Sequence, residues 1–193
     1  MVWSPLGERA WTVSPAPLGA AEALMADPPT WLEEAWPCGD QLALILAAEV
    51  SRPTVERAIL GTDGAIVPRE IDIPVWYDGP DLAASAETLG LTPGGFAELH
   101  AATTYACAAI GFCPGFSYLE SLPPALCGLP RLSSPRAVVP AGSVAVAGNR
   151  TAVYPLDRPG GWRLIGRTEL EMVDVGAGEF RVRVGDRVRF VPL

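Results

Sequence analysis

The sequence predicts an α+β chain in two parts. A ferredoxin-like βαββαβ domain is expected over residues 1–75, and a compact β-barrel or sandwich, fronted by two helices, over residues 76–193. Three features predict this. Apolar periodicity in the first 75 residues alternates between strand and helix spacing in the order βαββαβ. Asp78-Gly79-Pro80-Asp81 then breaks the pattern like a hinge. Beyond Gly111 the chain turns to short alternating runs punctuated by Pro and Gly, the grammar of a β domain.

Each element has a local reason. Ala10–Val13 reads as a strand, and Leu18–Met25 as a helix stopped by Asp27-Pro28-Pro29. Trp31–Trp36 and Gln41–Ala47 read as strands joined by the turn formers Pro37-Cys38-Gly39-Asp40. Pro53–Leu60 is a helix with Pro at its start and Gly61 past its end. Ile71–Trp76, alternating Ile71, Ile73 and Val75, closes the first domain. Leu82–Leu89 is a short helix ended by Gly90, and Thr92-Pro93 caps a longer one. Phe96, Leu99, Thr103, Ala106 and Ile110 give that helix an apolar stripe running to Gly111. Val144–Tyr154 is a hairpin: a two-residue Gly148-Asn149 loop sets Val146 opposite Thr151 and Val144 opposite Val153. Arg181–Phe190 alternates as well, but a two-residue Gly185-Asp186 loop would set Val184 against Arg187 on one face. An odd loop, a bulge or strands that do not pair directly are the alternatives.

Composition narrows the chemistry. All 14 basic residues are arginines, which excludes a Walker A lysine or a lysine Schiff base within the chain. Cys38, Cys107, Cys113 and Cys127 lack paired spacing and His100 is the single histidine, so neither a zinc site nor a disulfide framework is expected. No apolar run spans a membrane and no signal-peptide pattern opens the sequence, so a soluble cytoplasmic protein is expected. Residues 1–130 hold 16 acids and 4 arginines, residues 131–193 hold 6 acids and 10 arginines, and the net charge is −8. Nucleic acid is a poor partner for that balance. The basic C-terminal third suits a carboxylate, a phosphate or an acidic partner, while arginines spread over a solvated sheet face fit the last strands equally.

Three segments stand out between Gly111 and Thr168. Gly111–Tyr118 packs glycines, Pro114 and aromatics into one octet, either a loop sealing a barrel end or a ligand contact. Pro130–Ser143 carries Arg131 and Arg136 in a chain stiffened by proline, a low-entropy way to hold guanidinium forks for an anion. Pro159–Thr168 repeats the theme with Gly160-Gly161, Trp162 and Arg167; backbone amides of such a turn can form an anion nest. His100 lies one step off its helix stripe, a position more often structural than catalytic, yet it is the one side chain with an ordinary pKa near neutrality. Cys113 and Ser117 are nucleophiles by residue type only, and a complete triad is improbable.

Ile73–Tyr77, Leu99-His100 with Tyr105, Gly111–Tyr118, Pro130-Arg131, Pro135-Arg136, Val139–Val144, Tyr154-Pro155, Pro159–Trp162, Ile165–Thr168 and Gly185–Phe190 together resemble one family. It is the allophanate hydrolase subunit 1 family, of the carboxyltransferase C/D type, whose relatives include the B subunit of 5-oxoprolinase and the sporulation-kinase inhibitor KipI. The resemblance implies a ferredoxin-like N-terminal domain followed by a cyclophilin-like β-barrel. It also implies pairing with a subunit 2, like the C subunit of 5-oxoprolinase, and in the 5-oxoprolinase branch with a third subunit. That assembly uses ATP and Mg2+ to open 5-oxo-L-proline to L-glutamate, with neither held tightly by this chain alone. Subunit 1 of an allophanate hydrolase-like amidohydrolase and an inhibitor of a sensor histidine kinase are the alternatives. His100 is then the candidate for hydrogen bonding or proton transfer. Gly115, Phe116, Tyr118, Arg131, Arg136, Ser143, Gly160, Gly161, Trp162, Arg167 and Thr168 are the candidates for binding a small anionic substrate, with Arg131, Arg136 and Arg167 orienting it. The sequence departs from the family in a short tract after Tyr77, in Leu132 where a second arginine is common, and in Cys113 where serine is common.

Overall fold

The computed structural model describes residues 1–17, 19–38, 40–62 and 68–193. Leu18, expected to open a helix, and Gly39 of the expected turn lie outside them. The chain divides into two compact units, Met1–Val67 and Pro68–Leu193.

The first unit is built from β1 (Val2–Pro5), β2 (Ala10–Ser14), α1 (Ala20–Ala26), β3 (Leu32–Cys38), β4 (Gln41–Leu46) and α2 (Arg52–Leu60). Its sheet is antiparallel throughout, in the order β1-β2-β4-β3. Leu42 and Leu44 of β4 join Val13, Leu24, Val55 and Ile59 in its core, so sheet and helices share one apolar layer. Arg52 sets its guanidinium 5.5 Å from the ring centres of both Trp3 and Trp11.

The βαββαβ domain expected over residues 1–75 is not confirmed. The strand read at Ile71–Trp76 exists as β5 (Glu70–Val75), but it lies in the second unit and pairs in parallel with β15 (Arg187–Pro192). Among the described residues the place beside β2 is taken by β1. Alternation marks a strand but does not choose its partner, so the expected boundary after residue 75 falls earlier, at 67/68.

The second unit continues with α3 (Leu82–Thr88), α4 (Pro93–Ala101), β6 (Thr104–Ile110), β7 (Ser117–Glu120), β8 (Arg136–Val139), β9 (Ser143–Ala147), β10 (Arg150–Val153), β11 (Arg158–Gly160), β12 (Arg163–Arg167), β13 (Val173–Asp174) and β14 (Glu179–Phe180). Seven strands form a sheet ordered β12-β9-β10-β7-β6-β15-β5, while β8 pairs with β11 and β13 with β14. The sheet curls into a nearly closed barrel. Trp76 and Arg167 exchange backbone hydrogen bonds of 2.9 Å, and the amides of Gly79 and Asp81 reach the carbonyls of Ile165 and Leu164. Glycine makes this seam possible: a Cβ on Gly79 would lie 2.4 Å from the Ile165 carbonyl carbon, and one on Gly166 2.5 Å from the Trp76 oxygen.

The β9–β10 hairpin has the register the sequence predicts, Val146↔Thr151 and Val144↔Val153. Its alternation sorts two layers. Val144, Val146 and Val153 fill the barrel, whereas Ala145, Ala147 and Ala152 face a second cluster containing Phe116, Tyr154 and Trp162. Small residues on that outer face let the aromatics pack close to the sheet. Only the end of the Arg181–Phe190 segment is a strand: β15 starts at Arg187 and lies between β5 and β6, whereas Arg181–Val184 forms no strand, and β14 just before it pairs with β13.

The helix expected to run to Gly111 ends instead at Ala101. The Thr103 hydroxyl donates to the Leu99 carbonyl and the Tyr105 hydroxyl to that of His100, tying off the last turn. Thr104–Ile110 then pairs with β7 and β15, burying Tyr105 and Cys107 while Thr104 and Ala106 face outward. Sheet pairing on both sides overrides the helical spacing of an alanine-rich run.

Candidate functional site

The predicted residues do not converge on one pocket; most line two clefts of the second unit. A larger cleft of about 570 Å³ takes Arg136, Ser143, Arg167 and Thr168, together with Asp78, Gly79 and Leu164. A smaller one of about 250 Å³ takes Phe116, Tyr118, Arg131, Gly160, Gly161 and Trp162, with Phe112, Pro135, Tyr154 and Pro159. They are neighbours in the chain's layering, because Gly160 of β11 pairs with Arg136 of β8.

In the larger cleft the arginines are already engaged. Arg136 Nη2 donates to Asp81 Oδ1 at 2.7 Å, and the other oxygen of Asp81 accepts the Leu164 amide at 2.7 Å. Asp81 therefore closes the barrel seam and holds Arg136 with one carboxylate, leaving Arg136 Nη1 buried with no hydrogen-bond partner among the described residues. Arg167 Nε donates to Asp78 at 2.9 Å, Glu169 lies 3.9 Å from Nη1, and the guanidinium rests 4.6 Å from the Trp76 ring centre. The Ser143 hydroxyl donates to the Pro140 carbonyl, and Thr168 Oγ1 accepts the Leu170 amide, so both buried side chains shape the loop.

The smaller cleft is apolar and aromatic. Phe116 sits among Phe112, Tyr118, Tyr154 and Trp162 with ring centres 5.0–5.6 Å apart, all edge-on. Phe112 has φ +66° and stays 58% exposed, an unusual conformation for a bulky residue that keeps its ring at the rim. Burial pushes the Tyr154 phenol up, countered by the Trp162 backbone amide and the charges of Arg131 and Arg136. Gly160 is required because a Cβ there would lie 2.2 Å from the Tyr154 hydroxyl. Neither Gly160 nor Gly161 has left-handed backbone, so the expected glycine-turn nest is not formed; the pair serves close packing instead.

Arg131 is the contrast. It lines this cleft with no ion pair or hydrogen bond of its side chain among the described residues. Its backbone is nonetheless clamped: the Leu132 amide donates to the Gly161 carbonyl at 2.7 Å, and Arg163 Nε to the Pro130 carbonyl at 3.2 Å.

Gly115, another predicted ligand residue, lines neither cleft; its φ of +79° and the Val173 side chain 2.8 Å from a would-be Cβ make it a packing position. His100 is also elsewhere. It is fully buried, its ring 4.5 Å from Phe190 and 5.2 Å from Tyr105, with Nδ1 2.8 Å from the Tyr77 hydroxyl and Nε2 2.9 Å from Thr151 Oγ1. Thr151 spends its own proton on the Ala145 carbonyl, so it accepts from Nε2–H. Nδ1 is then the bare nitrogen, accepting from Tyr77, and the imidazole is neutral. Burial lowers its pKa to about 3. The expected proton transfer at the arginine-bearing face is thus replaced by a core bond between α4 and the barrel. Burial also raises the thiol of Cys113, partly countered by Arg158, and the Ser117 hydroxyl is buried against the Gly115 carbonyl. Neither is poised as a nucleophile.

Sequence reasoning missed Asp78 and Asp81, read there as turn residues, and the aromatic roles of Phe112 and Tyr154. The signal available for the last two was their place in the quoted Gly111–Tyr118 and Tyr154-Pro155 segments.

The second unit is thus a curled α+β barrel bearing two arginine-lined clefts. The model of the carboxyltransferase domain, subdomain C and D, matches residues 29–181, and the chain belongs to that family. The 5-oxoprolinase B subunit of Escherichia coli O157:H7 is 50% identical over 128 residues, 64% of this chain and 58% of that protein. Its counterpart in Bacillus subtilis (strain 168) is 40% identical over 147 residues, 74% and 61% respectively. The chain spans about three-fifths of the length of these curated relatives. The solved structure of TTHA0988 matches with a TM-score of 0.86 at 38% identity, over 96% of this chain and 40% of that one. PH0987 from Pyrococcus horikoshii matches at 0.62 and 33%, over 100% and 97%. The K. lactis urea amidolyase, at 0.69 but 11% identity, over 99% of this chain and 15% of that one, shares the fold alone.

Proposed function

We infer that this chain works as the B subunit of an ATP-dependent 5-oxoprolinase that hydrolyses 5-oxo-L-proline to L-glutamate. The observation that carries the reading is the 40–50% identity to proteins named as that subunit of 5-oxoprolinase. Within it, the second unit is the cyclophilin-like barrel of the family. The chain acts in the cytoplasm with a partner like the C subunit of 5-oxoprolinase and with a third subunit. No helix among the described residues is long and apolar enough to cross a membrane. ATP and Mg2+ belong to the assembled complex. The chain offers no lysine for phosphates.

The test is co-expression with neighbouring candidates for subunit 2 and for the third subunit, followed by assay of ADP and glutamate from 5-oxoproline. Turnover is expected from the complex and not from the isolated chain. MgATP-dependent hydrolysis by this chain alone would refute its dependence on partners, and no turnover by any reconstituted assembly would refute the substrate.

A further inference from the structure

We propose that the aromatic cleft around Arg131 is a receptor for a small ring bearing a carboxylate, and that the larger, arginine-rich cleft is not. The argument starts from charge. Arg136 hydrogen-bonds to Asp81 and Arg167 to Asp78, with Glu169 3.9 Å from Arg167, so an incoming anion there competes with these carboxylates. Arg131 has no such competitor among the described residues, and its exposed guanidinium keeps its full charge and fork for a ligand.

Pre-organisation points the same way. Clamps on both sides of Arg131 fix the backbone from which it reaches, which lowers the entropy lost on binding. The cleft beside it has the size and walls for a compact ring. Its volume is about 250 Å³, and the exposed Phe112 and half-buried Tyr118 offer aromatic surface backed by the buried Tyr154 and Trp162. The left-handed backbone of Phe112 holds one of those rings exposed at the rim, edge-on to Phe116 and Tyr154. An acyclic diacid would leave its second charge against these aromatic walls, so a ring monocarboxylate is the better fit.

The choice of 5-oxoproline as probe rests on the functional reading above; the cleft assignment does not. Isothermal titration of the full chain with 5-oxo-L-proline is expected to give saturable binding. Arg131→Gln weakens it about tenfold or more, and Arg131→Lys recovers part of the loss, as expected for removal of a charge-assisted hydrogen bond. Arg167→Gln changes it by less than about twofold. 2-Pyrrolidinone, the same ring without the carboxylate, does not compete, and L-glutamate binds more weakly than the lactam. Near-UV circular dichroism of the Arg131 variants, whose side chain is exposed, verifies the fold. The assignment is overturned by no saturable binding up to about 10 mM, an affinity too weak for a formed site. A larger loss in Arg167→Gln than in Arg131→Gln, or equal binding of pyrrolidinone, overturns it too. In the reconstituted complex the two ideas separate. Turnover with an unaltered kcat/KM in Arg131→Gln removes the cleft and keeps the function, while binding without turnover keeps the cleft and removes the function.

Discussion

The two clefts of the second unit use the same residue type to opposite ends. Around Arg136 and Arg167 each guanidinium is matched by a carboxylate from the 78–81 segment, and the pairs staple the barrel seam. Around Arg131 the clamps hold the backbone and leave the charge unmatched among the described residues. The difference teaches that a rigid arginine is evidence of a ligand only after its intramolecular anions have been located. Residue type was equal on both sides, and Arg131 and Arg136 share one proline-stiffened segment; partners were not equal.

The comparison can be broken by substitutions on each side. Gly79→Ala forces a Cβ into backbone at the seam and is expected to cost about 3 kcal/mol or more in urea unfolding. Gly161→Ala, whose nearest neighbours would lie 3.7 Å away, should cost about 0.5 kcal/mol or less. Equal losses would mean that the seam is not what limits the larger cleft. Asp81→Asn removes a partly buried ion pair while leaving Arg136 in place, so a loss of about 2 kcal/mol is expected. Asp78→Asn, at a pair about half exposed on both sides, should stay within about 0.5 kcal/mol.

A separate effect comes from pH. His100 is held below its ordinary pKa by burial, so the folded state resists the proton that the unfolded chain accepts. Its contribution is fully present above about pH 6.5 and is lost as pH falls from there toward about 3. The loss amounts to at most about 1.4 kcal/mol per pH unit. Against His100→Gln, which removes the titration, the wild-type stability curve should fall more steeply across this window. Parallel curves would show that the imidazole is not kept neutral by the core.

How much was legible follows from the range of each interaction. The β9–β10 register could be read because a two-residue loop and alternating valines fix it locally. That Arg181–Val184 does not fold back to pair with Arg187–Phe190 was legible from a clash of faces at Val184 and Arg187. Thr104–Ile110 misled because apolar residues at helical spacing also alternate, and its strand neighbours lie far along the chain. His100 looked off-stripe only because the helix was drawn too long. Asp81 was invisible as a functional partner: its ties to Arg136 and Leu164 join positions 55 and 83 residues apart, which no local pattern records.

The seam carries one more consequence. An outermost strand normally offers a row of unused amides and carbonyls to any passing chain. Here the 76–81 segment occupies that row on β12, bonding at Leu164, Ile165 and Arg167. Strand addition at β12 is thereby blocked, so a companion protein docking on this side meets side chains rather than a bare backbone, and the fold denies an aggregating neighbour that foothold.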